Sequence, residues 1–221
     1  MSAFASNRLI PLNFVTEIAY PPQTLPHTIL LELFNELSGP HGFLNLNLLP
    51  DNKGAVFSAE KGNRFEILTD KLVLREETNV VSFDSYCDQA IGIVEKVFQK
   101  ILPPVLIGQM NIVRMLYPLS SEQAANQFLM QSFLSVPEGI GQRLGRPLAG
   151  IGMRLVFPPT QQMHNEYQIR IEPFFRDQTQ IFLENAGRFF PPFKHVEEIR
   201  SRLDATYNFL KASLEALFAE E

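Results

Sequence analysis

A short pattern that recurs in the two halves of the chain constrains its fold more than any other sequence feature. Residues 14–21 read Phe-Val-Thr-Glu-Ile-Ala-Tyr-Pro, and residues 111–118 read Asn-Ile-Val-Arg-Met-Leu-Tyr-Pro. The segments match in apolar character through the middle, and both end in Tyr-Pro. β-Branched and apolar residues favour strands, and proline ends them because it has no N–H to donate to a neighbouring strand. We therefore predict an internal repeat in which each half begins with an equivalent strand.

A helix is predicted after each of these strands. In the first half, Thr24 can cap a segment with apolar residues at helical spacing, and Ser38–Pro40 indicates its end. In the second half, Ser120 and Gln123 match a capping box, and residues 137–139 indicate the end of that helix.

Further strands and a long helix complete each half. The predicted strands are 43–49, 55–60, 64–68 and 71–75, followed in the second half by 151–157, 167–175 and 178–183. Apolar residues then recur at three- and four-residue steps from Phe83 to Ile101 and from Val196 to Leu217. This spacing predicts two amphipathic helices, each buried on one face.

These elements indicate an α+β protein made of two β-α-β-β-β-α repeats. We place the N-terminal repeat at residues 1–104 and the C-terminal repeat at 105–221, with Pro103-Pro104 at the boundary. Neither half alone can bury the apolar face of its sheet and the apolar stripe of its helices as well as the two halves can together. We therefore predict one structural unit. Both repeats would share one antiparallel sheet with helices packed on one face. The arrangement resembles the duplicated saddle of the TATA-binding protein in architecture, and this resemblance implies no function.

The chain also resembles a sporadically distributed family of uncharacterised bacterial proteins. The resemblance is carried by residues 11–22, 65–75 leading into the helix from Phe83, 106–119 and 168–176. The sequence departs from the family at 109–114, where a more basic and aromatic-rich strand would be expected. The resemblance implies bacterial origin and supports the predicted fold, and it implies no activity.

Composition narrows the class of protein further. The 24 acidic residues outnumber the 19 basic ones, which makes nucleic-acid binding the least favoured function. No apolar run approaches the roughly 18 residues that cross a bilayer, and residues 1–8 lack a secretory signal pattern. We therefore expect a cytoplasmic protein without membrane contact.

One candidate site combines Glu17 with Arg114. The repeat alignment makes these residues equivalent, and if the two repeats meet through their first strands, both residues lie near a pseudo-two-fold axis in the middle of the sheet. They could form a polar spot on a ligand-binding surface. The favoured interpretation is a cross-strand ion pair on a solvated face, worth roughly 0.2–1 kcal/mol.

A second candidate is the glycine- and arginine-rich segment at residues 139–154. Its glycines permit close backbone approach, and Arg143, Arg146 and Arg154 supply cations for an anionic ligand. However, a phosphate-binding glycine loop should join a strand to the N-terminus of a helix. A hairpin connection with glycine bulges before the strand at 151 is the favoured interpretation.

The remaining reactive residues suggest structural roles. Cys87, the only cysteine, lies on the apolar stripe of its helix and is predicted to be a buried, inert thiol. The four histidines show no metal-ligand spacing, and we expect neither a metal nor a cofactor. The segment 189–193, Phe-Phe-Pro-Pro-Phe, is predicted to bury its rings between the sheet and the last helix.

No catalytic constellation emerges, so a non-enzymatic binding or interaction module is favoured over an enzyme. It would use the sheet face or the sheet–helix groove to hold a protein partner or a small ligand. The alternative is an enzyme or sensor that binds a small anion near 139–154. An exposed edge strand could also pair with a second copy of the chain to form a homodimer, or the charged residues of that edge could prevent such pairing.

Overall fold

A computed structural model describes residues 8–60, 62–119, 124–133 and 140–218 as an α+β fold. Its strands are β1 (Ile10–Ala19), β2 (Phe43–Leu48), β3 (Gly54–Ala59), β4 (Arg64–Leu68), β5 (Lys71–Glu76), β6 (Gly108–Pro118), β7 (Met153–Phe157), β8 (Asn165–Pro173) and β9 (Gln180–Phe189). Its helices are α1 (His27–His41), α2 (Phe83–Ile101), α3 (Ala125–Ser132), α4 (Ile140–Arg143) and α5 (Glu197–Phe218).

All nine strands form one open sheet in the order β2-β3-β4-β5-β1-β6-β9-β8-β7. Every neighbouring pair is antiparallel, and β1 pairs with β6 in the middle. The chain therefore builds one side of the sheet before β6 and the other side after it. Strands β2–β5 match the four ranges predicted after the first helix, which is one strand more than the β-α-β-β-β-α repeat contains, and α4 is an additional short helix in the second half.

Alternation along the strands gives the sheet two distinct faces. On one face, apolar side chains such as Phe14, Phe57 and Leu183 are fully buried. They share a core with α1, α2, α3 and α5, whose buried residues belong to the same cluster. We call this the helix face, and the opposite face of the sheet the open face.

Helix α2 begins and ends as the sequence predicts. Ser82 caps it by accepting a hydrogen bond from the Ser85 N–H at 3.2 Å. Its apolar stripe packs over β1, and the ring of Phe83 stacks on Tyr207 of α5 with ring centroids 4.2 Å apart. The two long helices thus meet above the middle of the sheet.

Helix α1 differs from its prediction at both ends. It begins after Pro26 without a side-chain cap, so Thr24 is not its cap. It also continues through Gly39 and Pro40 to His41, and it ends where Gly42 adopts a left-handed conformation with φ 68°. Gly42 is the residue that supplies the C-terminal cap, because glycine enters this region without steric cost. The predicted capping box at Ser120 and Gln123 and the helix end at 137–139 lie outside the described residues.

No helix in the described ranges is both long and apolar enough to cross a lipid bilayer.

Candidate binding surface on the open face

Strand register gathers twelve charged side chains on the open face. They are Glu17, Arg64, Glu66, Lys71, Arg75, Arg114, Arg154, Glu166, Arg170, Glu172, Glu184 and Arg188. They come from β1 and from strands on both sides of it, so the surface exists only when the whole sheet is assembled.

One row of charges crosses the second half of the sheet. Arg114 of β6 lies opposite Glu184 of β9, which lies opposite Arg170 of β8, and Arg154 of β7 ends the row. Arg114 Nε donates to Glu184 Oε2 at 2.6 Å, and Arg170 Nη1 is 3.5 Å from Glu184 Oε1. The Glu184 side chain is only 12% exposed, so these two arginines hold a nearly buried carboxylate.

Arg154 adds a cation at the margin of this row. It is exposed and lies directly opposite Arg170. The carboxylates in the row contact other arginines, since Glu172 lies 2.7 Å from Arg170 and Glu184 lies between Arg114 and Arg170. Like charges in directly opposite positions destabilise a sheet, so an anion beside Arg154 would relieve this repulsion.

The first half of the sheet carries a similar opposed pair. Arg64 lies opposite Arg75, and both contact Glu66, at 2.9 and 3.6 Å. Lys71 Nζ also donates to Glu17 Oε2 at 3.3 Å. The Glu66 carboxylate thus contacts two guanidinium groups, so the net charge of these three residues is positive.

Glu17 and Arg114 do not pair with each other, so the interpretation of a mutual ion pair is wrong. Glu17 lies opposite Met110 and bonds to Lys71, whereas Arg114 lies opposite Asn13 and bonds to Glu184. The two residues lie on the same face, four register positions apart, which is about 13 Å along the strands. Glu17 and Arg114 are each part of a separate cross-strand ion pair.

The open face is more basic than the chain as a whole. Seven of its twelve charged residues are basic, whereas the complete chain has 19 basic and 24 acidic residues. The remaining residues of the chain therefore carry the acidic excess, with 19 acidic residues against 12 basic ones once those of the open face are subtracted. This asymmetry would orient an acidic partner toward the sheet.

The arginines of segment 139–154 belong to different elements. Arg143 ends α4 and Arg146 follows it in a turn, and both are exposed. Only Arg154 is part of the sheet. The predicted hairpin connection with glycine bulges is wrong for residues 140–152, because this stretch contains α4 and a turn in which Gly145 has φ 66°. Gly139 lies outside the described residues.

A buried polar cluster beneath α5 was not predicted from the sequence. Gln109 Nε2 donates to Asn111 Oδ1 at 2.9 Å, and Asn111 Nδ2 donates to Thr206 Oγ1 at 3.3 Å. Asn185 Nδ2 donates to the Thr206 carbonyl at 2.7 Å. Met110 and Ile112 are the apolar residues of this stretch, yet Gln109 and Asn111 are the ones buried beneath the helix, in phase with Val113 and Met115 further along β6. These amides fix α5 to the sheet.

Cys87 is fully buried, which confirms its predicted place in the core. Burial raises the pKa of its thiol to about 12, so the thiolate needed for nucleophilic attack is absent near neutral pH. Among the described residues, no three His, Cys, Asp or Glu side chains come together in a group that could hold a metal ion.

The segment 189–193 is buried only in part. Phe193 is 3% exposed, as predicted, but Phe190 is 53% exposed. The Arg202 guanidinium lies 3.8 Å from the centre of the Phe193 ring, and its Nη2 donates to the Pro191 carbonyl at 3.2 Å. A cation on α5, rather than a ring cluster alone, holds this connection in place.

No family model matches the sequence, and a search of curated proteins finds no match.

Proposed function

We propose that the protein is a non-enzymatic binding module whose open face holds an acidic segment of a partner protein. The observation that carries this proposal is the Arg114–Glu184–Arg170–Arg154 row, which ends in an exposed cation opposite another arginine. A carboxylate from a partner would complete the alternation of charge along this row.

The ion pairs on the open face are weak enough for a carboxylate of a partner protein to replace one of the protein's own. Exposed ion pairs contribute about 0–1 kcal/mol, so an incoming carboxylate can replace one at little cost. Arg188 and Arg64 have side chains 46% and 50% exposed, and each is held by one close carboxylate. Arginine binds carboxylates in a bidentate manner, which gives such a surface geometric selectivity.

The duplication predicted from the sequence belongs to the same proposal. The repeat alignment makes Val15 the counterpart of Ile112, and these residues lie directly opposite each other across β1 and β6. This pairing is the one expected if a pseudo-two-fold axis passes between them, with residues 1–104 and 105–221 as equivalent halves. A saddle like that of the TATA-binding protein would then present the open face to the partner. A cytoplasmic location and bacterial origin complete this view.

Binding of a labelled poly-glutamate peptide at low ionic strength tests the proposal. We expect Arg154→Ala and Arg188→Ala each to weaken binding about threefold, because each removes one exposed charge contact. Lys96→Ala is the matched control, since Lys96 is exposed on α2, away from the sheet. Binding should weaken further as salt is added.

The alternative function, a small anionic ligand near residues 139–154, gives a different ranking. It predicts that Arg143→Ala and Arg146→Ala reduce anion binding more than Arg188→Ala does. Equal binding by the wild type, Arg154→Ala and Arg188→Ala proteins would refute the open-face proposal.

A further inference from the structure

Strand β7 forms one margin of the sheet and leaves half of its backbone hydrogen-bonding groups without a strand partner. Within the described ranges it pairs only with β8, from Met153 opposite Ile171 to Phe157 opposite Tyr167. The register between them has no bulge. A regular edge of this kind is a template for another strand unless charge, proline or irregularity blocks it.

Strand β7 is short and carries Arg154, with Pro158 just beyond its end, but its pairing is regular, whereas the opposite margin of the sheet is irregular. Strand β2 shifts register between Phe43 and Asn45, and it carries the polar residues Asn45 and Asn47. Its end runs into a turn where Asp51 and Asn52 have positive φ angles. Bulges and polar residues of this kind discourage pairing between molecules.

Exposed apolar side chains are frequent in the part of the sequence that contains β7. Val156 and Phe157 within the strand are 54% and 39% exposed. Four more large apolar residues near it in sequence are exposed, namely Leu144, Leu148, Met163 and Phe175. These six are nearly half of the exposed large hydrophobic residues in the described chain, although they fall within residues 144–175. The exposed apolar side chains of β7 itself would be covered if another strand paired with this edge.

We propose that β7 pairs antiparallel with β7 of a second copy of this chain, which joins two sheets into one. This inference is independent of the proposed function. Its interface is isologous, so each strand must be complementary to itself. Strand β7, with the sequence Met-Arg-Leu-Val-Phe, meets this condition when Leu155 lies opposite Leu155 of the second copy.

In that register no like charges lie directly opposite each other. Arg154 faces Val156 of the second copy, and Met153 faces Phe157. The open faces of the two sheets become continuous, and the apolar side chains of β7 gain neighbours across the new strand pair. Phe157, whose ring packs 5.0 Å from Phe209 on the helix side, is covered at its outer edge. A strand of five residues is short, so the dimer should be weak and dependent on concentration.

Sedimentation equilibrium of the full chain over a range of concentrations tests this proposal. We expect a monomer–dimer equilibrium in the wild-type protein. Val156→Lys should raise its dissociation constant about tenfold, because the introduced ammonium faces Arg154 of the second copy in two symmetry-related places. Val156→Glu should weaken the dimer less than Val156→Lys, since its carboxylate faces the same arginine.

Leu44→Lys is the matched control, because Leu44 is 63% exposed on the opposite edge strand. It should leave the dimer unchanged, and far-UV circular dichroism should show that all variants are folded. A monomer at every concentration overturns the proposal. So does a dimer that Leu44→Lys weakens as much as Val156→Lys, or one for which Val156→Lys and Val156→Glu behave alike. No peptide or anion is added, so failure here leaves the poly-glutamate result unaffected.

Discussion

Gly187 on β9 lies directly beneath Thr206 on α5, so close that a methyl group at residue 187 would lie 2.5 Å from Thr206 Oγ1. The same methyl group would lie 3.1 Å from Cε1 of Tyr167 on the neighbouring strand. Absence of a side chain at this one position lets α5 approach the sheet closely enough for Asn111 and Asn185 to bond to Thr206.

We predict that Gly187→Ala lowers the free energy of unfolding by about 1–3 kcal/mol, because the helix must move away from the sheet. Urea denaturation measures this loss. In a Thr206→Ala background the same substitution should cost less, since both contacting atoms of Thr206 are gone. Gly92→Ala in α2 is the control. Its added methyl group would lie 3.7 Å from the His41 ring, which is an ordinary contact distance, so this change should stabilise the protein by about 0.5–1 kcal/mol. Equal losses in both backgrounds would contradict the steric argument.

The second prediction concerns the buried hydroxyl group of Tyr86. It donates a buried hydrogen bond to Thr16 Oγ1 at 2.8 Å and so ties α2 to the central strand β1. Tyr86→Phe should reduce the free energy of unfolding by about 1–2 kcal/mol, because it leaves the Thr16 hydroxyl without this partner. The double variant Tyr86→Phe with Thr16→Val should lose less than the sum of the two single changes, which chemical denaturation of the four proteins tests. Strict additivity would show that the hydrogen bond does not contribute.

Alkaline pH should destabilise the protein partly through Cys87. Burial raises its folded-state pKa to about 12, above the ordinary value of 9.0. The unfolded thiol therefore loses its proton first, and the stability contributed by the neutral buried thiol is complete below about pH 9 and lost as the pH rises toward 12. Burial raises the pKa values of Tyr20 and Tyr86 as well, so they add to the same trend.

Comparison with Cys87→Ala isolates the contribution of the thiol. The free energy of unfolding should fall less steeply between pH 8 and pH 10.5 in Cys87→Ala than in the wild type. The difference between the two slopes against pH should correspond to at most one proton released on unfolding. Denaturation at several pH values measures both slopes. Parallel curves would mean that the folded thiol ionises as readily as the unfolded one.

Local sequence patterns predicted which helices and strands form more accurately than the residues at which each of them ends. Helix α2 follows its prediction from Phe83 to Ile101 because a long apolar stripe and a serine cap agree. At the end of α1, Gly39 and Pro40 are strong stop signals, yet the helix passes them because Gly42 supplies the left-handed residue. When two such signals lie three residues apart, the sequence alone does not rank them.

The charge partners were beyond the reach of sequence patterns. Arg114 and Glu184 are 70 residues apart, and Glu17 and Lys71 are 54 apart. Each contact depends on the register between strands that are not adjacent in sequence, and a shift of one residue would send the charges to the opposite face. Glu17 and Arg114 could therefore be placed in the middle of the sheet, but their partners could not be named.

Arg200 provides the last prediction, because it joins the two long helices at the surface. Its guanidinium lies 2.6 Å from Asp88 and 2.9 Å from Asp84 on α2, and 3.4 Å from Asp204 on α5. The two α2 carboxylates are more than three-quarters exposed, so water and salt screen the contacts. We expect the coupling energy between Arg200 and Asp88 to be below about 1 kcal/mol.

A double-mutant cycle with Arg200→Met and Asp88→Asn measures this coupling, and the measurement is repeated in 1 M sodium chloride. The coupling should be present at low salt and largely lost at high salt, where the Debye length falls to about 3 Å. The pair Glu17→Gln and Arg200→Met serves as the control, because Glu17 bonds to Lys71 on the sheet, and its coupling to Arg200 should be near zero. A coupling that persists at high salt would mean that Arg200 supports the junction of α2 and α5 by packing rather than by charge.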